Sequence, residues 1–197
     1  MSETPVVLVH GIWDSAARLD RLRAGLEARG VRRARAFDLA PNDGRGRIER
    51  LAEQLDGIVE AVLAETSARA LDVVGFSMGA LVSRYYIQRG RGRARVRRFV
   101  SISGPHQGTL NALWLPYEGV RQMRPGSPLL RDLASDTDPW GPVEVHALYT
   151  PYDVMIVPAR SSILPGARTT RAVPVALHRW MLSDRRVLDA IAEILAR

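Results

Sequence analysis

Apolar positions along the chain alternate between two periods. Short apolar runs of four to seven residues, at 6–9, 71–74, 98–102 and 143–149, stop at glycine, proline or polar turn residues and read as buried strands. Between them the spacing shifts to that of a helix. Ile48, Leu51, Leu55, Ile58, Val59 and Val62 fall on one face of a helix starting near Arg47. An earlier helix is expected over about 15–29, with Asp14 or Ser15 as cap and Gly30 as stop. Two more are expected, one running from just after residue 77 to near Arg89 and one over about 184–195. Six strands interleaved with helices imply an α/β fold, its mostly parallel sheet covered on both faces. Such sheets place their sites at the carboxyl ends of the strands.

Composition narrows the picture without changing it. With 197 residues, 46% hydrophobic and 25% charged, the chain suits a single compact domain spanning 1–197. No apolar run reaches membrane-spanning length, and no basic-then-apolar leader precedes the first strand. The chain as written therefore reads as cytoplasmic, or as secreted if it is a trimmed mature form. The absence of cysteine excludes disulfides, a cysteine nucleophile and thiolate metal ligands. A net charge of +7 raises nucleic acid as a partner, because Arg89, Arg91, Arg93, Arg95, Arg97 and Arg98 fall within ten residues. All 28 basic residues are arginine, however, so the bias belongs to the whole chain. Glycines interrupt the run and no nucleic-acid motif accompanies it. It reads as a solvated loop, and nucleic acid is not expected as a partner.

Candidate chemistry centres on Gly75-Phe76-Ser77-Met78-Gly79, which follows an apolar strand and opens into a helix. A serine on so sharp a turn needs small neighbours two residues before and after it, and G-x-S-x-G supplies them. Ser77 is the candidate nucleophile. The first strand runs into His10-Gly11-Ile12-Trp13, a turn able to aim the Ile12 amide at a developing oxyanion beside that of Met78. His10 then braces the turn. Among the remaining histidines, His146 sits in an alternating strand pattern and reads as a satisfied sheet residue. His106 follows another strand and reads as a pocket-lining residue. His178, between a strand-like stretch and the last helix, is the expected base. Asp153, just beyond the strand ending at Tyr149, is the expected orienting acid; Asp136 and Asp138 lie in a polar turn.

Taken together these stretches resemble the α/β-hydrolases, and among them the minimal Bacillus-type bacterial lipases and esterases. The resemblance covers nearly the whole chain. It implies a Ser77, Asp153, His178 triad, an oxyanion hole from Ile12 and Met78, an acyl-enzyme intermediate, little or no lid, and no cofactor or metal. The expected activity is cleavage of a carboxylic ester, with an acyl thioesterase or acyltransferase as alternative and a non-catalytic binding protein as a distant one. The expected partner is a small ester or lipid, with transient contact at a lipid interface and no membrane span. Phe76 departs from the histidine or tyrosine usual before the nucleophile. The stretch 105–142 is longer than in compact lipases, and its Pro-His-Gln-Gly-Thr opening resembles larger lipases and acyl thioesterases. It is expected to border the acyl pocket, and Trp13, His106, Trp114 and Val154 are the expected substrate contacts.

Overall fold

A computed structural model describes residues 4–196. Its strands are β1 (Val6–Val9), β2 (Ala34–Phe37), β3 (Leu71–Phe76), β4 (Val96–Ile102), β5 (Glu144–Tyr149) and β6 (Thr169–Ala172). They form one sheet in the order β2-β1-β3-β4-β5-β6, with every neighbouring pair parallel. The helices are α1 (Asp20–Glu27), α2 (Ile48–Thr66), α3 (Met78–Arg89), α4 (Gly92–Arg95), α5 (Glu118–Gln122), α6 (Pro128–Ala134) and α7 (Arg185–Ala196). None is long and apolar enough to cross a membrane, among the described residues.

Strand alternation divides the core in two. Val7, Val9, Val73, Phe99, Val145 and Ala147 point to the face covered by α2, α3 and the 105–142 segment. Val6, Leu8, Val74, Phe76, Val100, Ile102 and Leu148 point to the face covered by α1 and α7. Both sides of the sheet are thus dry, as the near-continuous apolar strands require. The chain winds outward to β2, then crosses back past β1 to β3. That reversal opens a crevice between the carboxyl ends of β1 and β3, where Ile12 and Ser77 emerge.

Three local expectations are corrected. The first helix begins as a 3-10 turn, Ala16–Leu19, before α1. The Ser15 side chain does not cap it; the Ala16 amide instead donates to Asp38 Oδ1 at 2.7 Å, a carboxylate brought in from beyond β2. The arginine run is not a solvated loop. It spans the end of α3, the single turn of α4 and the start of β4. Its side chains meet carboxylates in turn: Arg89 and Arg93 at Asp136, Arg91 at Asp56, Arg95 at Glu60, and Arg97 at the fully buried Asp72. The last strand, β6, ends at Ala172, ahead of the apolar stretch before His178.

The 105–142 segment folds down rather than standing off. Ser127 accepts from the Leu130 amide and caps α6, whose Leu129, Leu130 and Leu133 enter the core. Arg84, buried on α3, clamps the segment by donating to the carbonyls of His106 (2.8 Å) and Leu133 (3.0 Å) and to Gln88 Oε1 (2.6 Å). Among the described residues no carboxylate comes within ion-pairing distance of it, and burial lowers its pKa to about 10.

Candidate active site

The G-x-S-x-G turn is sharp because β3 leads into α3 through a single residue. Ser77 sits at φ 54°, ψ −124°, a strained conformation for a side-chain-bearing residue. The two glycines make room for it. A Cβ on Gly75 would lie 2.7 Å from Ala80 Cα, and one on Gly79 would lie 2.6 Å from the Val9 carbonyl oxygen. Close packing of α3 on β1 therefore forbids any side chain at Gly79. The Ser77 amide donates to the Ile102 carbonyl at 2.9 Å, pinning the turn to the tip of β4.

His178 opens a 3-10 turn, His178–Leu182, and is 6% exposed. Its Nδ1–H donates to Asp153 Oδ2 at 2.7 Å. Its Nε2 is buried and has no hydrogen-bond partner among the described residues. The two side chains come from separate loops that Thr150 joins, its hydroxyl donating to the Val175 carbonyl (2.5 Å) and accepting from the Val175 amide (3.2 Å). The other carboxylate oxygen of Asp153 accepts from the Met155 (2.9 Å) and Ile156 (3.0 Å) amides. Burial raises the Asp153 pKa, but the His178 and amide hydrogen bonds outweigh it and hold the group below the ordinary carboxylate range. Phe76 packs on the imidazole, ring centroids 4.7 Å apart.

The turn after β1 is braced from the loop after β2. His10 Nδ1–H donates to the Gly11 carbonyl (2.9 Å) and its Nε2 accepts from the Leu39 amide (3.0 Å). The Trp13 amide donates to the Asn42 carbonyl, and the Asn42 side chain returns a bond to the Asp14 carbonyl. Neither the Ile12 amide nor that of Met78 has a hydrogen-bond acceptor among the described residues. Met78 is the first residue of α3, so its amide has no acceptor within the helix.

Ser77 lies where two compartments of one cleft meet. One, of about 430 Å³, is walled by Ile12, Ala112, Leu115, Val120, Met123 and Ile156, with the 105–142 segment forming its far side. The other, of about 930 Å³, contains Phe76, His178, Trp13, Asp14, Val154, Leu177, Arg179 and Trp180. The structure thus brings Ser77, His178, Ile12, Trp13 and Val154 to one cleft, with Asp153 behind His178. Met78 stands beside the cleft at the helix start. His106 and Trp114 do not line it. His106 is buried under the elbow, its Nε2 2.7 Å from Ser101 Oγ, and burial together with the Arg84 charge lowers its pKa well below the usual histidine value. Trp114 is 84% exposed. His146 is satisfied in the sheet by Thr169 and Glu144. Asp136 and Asp138 lie at the arginine cluster instead.

Sequence reading missed the roles of Asn42, Thr150 and Phe76. Only Phe76 carried a signal, as the departure beside the nucleophile. Among the described residues no group of three or more histidine or acidic side chains is placed to hold a metal ion.

Comparison with known proteins agrees with this architecture. The chain is similar in structure to the mature form of the lipase BlEst2 of Bacillus licheniformis, at TM-score 0.84 and 15% identity, covering 98% of this chain and 92% of that one. Lipase B of Aspergillus fumigatus gives TM-score 0.84 at 17% identity, covering 98% of this chain and 52% of that one. A metagenomic carboxyl esterase, MGS0156, gives TM-score 0.71 at 19% identity over 100% and 76%. These likenesses establish the α/β-hydrolase fold. The model of the palmitoyl protein thioesterase family matches residues 5–134, about two thirds of the chain, and the chain belongs to that family.

Proposed function

We propose that this protein hydrolyses carboxylic esters through a serine acyl-enzyme. The observation that carries the reading is the His178–Asp153 hydrogen bond at 2.7 Å, with His178 Nε2 buried, unpartnered among the described residues and bordering the same compartment as Ser77. Asp153 fixes the tautomer that leaves a lone pair on Nε2. Ser77 Oγ attacks the acyl carbon as Nε2 takes its proton. The oxyanion forms between the Ile12 and Met78 amides, and Asp153 stabilises the imidazolium. His178 then protonates the leaving group, which departs, and deprotonates the water that hydrolyses the acyl-enzyme.

The chain acts as one domain over 1–197, with 105–142 forming the acyl wall through Ala112, Leu115, Val120 and Met123. The substrate is a small ester or lipid. A thioester is the second reading, and the family match favours it. The test is hydrolysis of nitrophenyl esters from acetate to palmitate by wild type, Ser77→Ala and His178→Ala, with thioesters of matched acyl length alongside. Both variants should lose at least about 10³-fold in kcat. Equal activity in wild type and Ser77→Ala would overturn the proposal.

A further inference from the structure

The two compartments beside Ser77 are not interchangeable. His178 borders the larger one and not the smaller. In the proposed reaction its Nε2 protonates the departing oxygen, so the leaving half of the substrate lies in the larger compartment and the acyl half in the smaller.

The larger compartment is apolar, and its charges are matched. Five of the nine large apolar side chains exposed among the described residues line it: Trp13, Val154, Met155, Leu177 and Trp180. Exposed apolar surface is therefore gathered at the cleft rather than scattered over the molecule. The charged residues of the compartment are Asp14 and Arg179, and they pair with each other at 3.9 Å, while Arg18 reaches the same Asp14 oxygen at 3.2 Å. Among the described residues none of its charges stands alone to hold a phosphate, carboxylate or ammonium group.

Trp13 is held in an unusual backbone. Its φ of 58° lies in the left-handed region, which bulky side chains rarely enter. The Trp13 amide donates to the Asn42 carbonyl at 2.7 Å and Asn42 Nδ2 donates to the Asp14 carbonyl at 2.6 Å, so the loop after β2 fixes the strained turn from both sides. Glycine would take this conformation freely. The turn instead sets a half-exposed indole where the compartments meet, since Trp13 lines both. Trp180, also half-exposed, lines the larger one from the last 3-10 turn.

We propose that the leaving group of the substrate is a bulky, uncharged, apolar alcohol, and that Trp13 and Trp180 are the residues that select it. The proposal rests on the reading of Ser77 and His178 given above. Covering the two indoles with apolar substrate removes both surfaces from water, whereas a small or strongly hydrated alcohol leaves them wet.

The test is kcat/KM on the octanoate esters of 2-phenylethanol, ethanol, glycerol and choline, with active sites counted by fluorophosphonate titration of Ser77 so that only competent enzyme is compared. In wild type the phenylethyl ester should exceed the ethyl ester at least about tenfold, and the glycerol and choline esters should not. Trp13→Gly deletes the ring without straining the turn. Combined with Trp180→Ala it should bring the phenylethyl-to-ethyl ratio below about three, chiefly through KM, and the double Trp→Phe variant should restore most of it. Trp180→Ala alone, at an exposed position, should lower the ratio at least about twofold. A wild-type ratio near one, a preference for the glycerol or choline ester, or a ratio that survives the double variant overturns the proposal, while Ser77-dependent turnover of any ester leaves the catalytic reading standing. Labelling of Ser77 without turnover of any of the four overturns the leaving-group proposal alone. Inactivity together with no labelling overturns the proposed function and this proposal with it.

Discussion

Asp153→Asn isolates the orienting bond from everything else the acid does. The Met155 and Ile156 amides both donate to Asp153 Oδ1, so the asparagine carbonyl oxygen must stay on that side. Rotating the amide the other way would set an NH₂ against two N–H donors. The asparagine NH₂ therefore faces His178 Nδ1, 2.7 Å away in wild type, and cannot accept its proton. The imidazole must then place its hydrogen on Nε2, which turns the proposed base into a donor toward Ser77. In serine hydrolases generally this change of tautomer costs about 10⁴ in kcat, or about 5 kcal/mol of transition-state stabilisation. The fold should survive, because the two amide bonds and the side-chain volume are kept. Single-turnover hydrolysis of nitrophenyl octanoate, with thermal unfolding recorded on the same samples, reads both quantities. A folded variant that loses less than about 30-fold would refute the assignment of Asp153 as the residue that sets the His178 tautomer.

Gly79→Ala should fail to accumulate as folded protein or lose about 3 kcal/mol in urea denaturation, since its Cβ would press on the Val9 carbonyl. Arg84→Met should cost about 3 kcal/mol in the same assay, because it strands the His106 carbonyl and Gln88 Oε1 in a buried site and leaves the Leu133 carbonyl to Gln88 alone. Below pH 6.5 stability should fall. His106 is held neutral in the fold by burial, then by Arg84, while the unfolded histidine takes up a proton, so its contribution is complete above about 6.5 and declines below it. Thermal unfolding from pH 8 to 5 should flatten in His106→Gln, leaving His146, whose pKa burial also lowers, to supply the remaining slope. Val120→Ala should move the acyl optimum of the ester series to longer chains and Val120→Phe to shorter ones, since Val120 walls the compartment and closes against Ile12 around Gly44.

The fold and the grouping of the candidate site residues were legible in the sequence for one physical reason. Strands buried on both faces must be apolar throughout, and the elbow between β3 and α3 tolerates only glycine where α3 approaches β1. Both constraints are local and leave their mark within a few residues. The first helix was misjudged because its first amide is satisfied by Asp38, a partner 22 positions away that no capping pattern reveals. The arginine run was misjudged for the same reason, its carboxylates coming from α2, β3 and the 105–142 segment. His106 lay in a loop between strand and insertion, as a pocket residue would, but Gly104 lets its ring fold back onto Ala80 and Ser101.

What the sequence hides is also what distinguishes this cleft from others on the fold. Its acyl side is built by a segment that packs into the core, so Val120 and Met123 serve stability and pocket shape at once and their chemistry as core residues masks the second role. The larger compartment joins residues of the turn after β1 to residues of the last 3-10 turn, more than 150 positions apart. The proposed catalytic residues therefore lie in short motifs, whereas the side chains that wall the cleft come from distant segments. Val120→Ala and Val120→Phe should accordingly shift acyl preference in opposite directions at a fixed leaving group while labelling of Ser77 by a fluorophosphonate is kept.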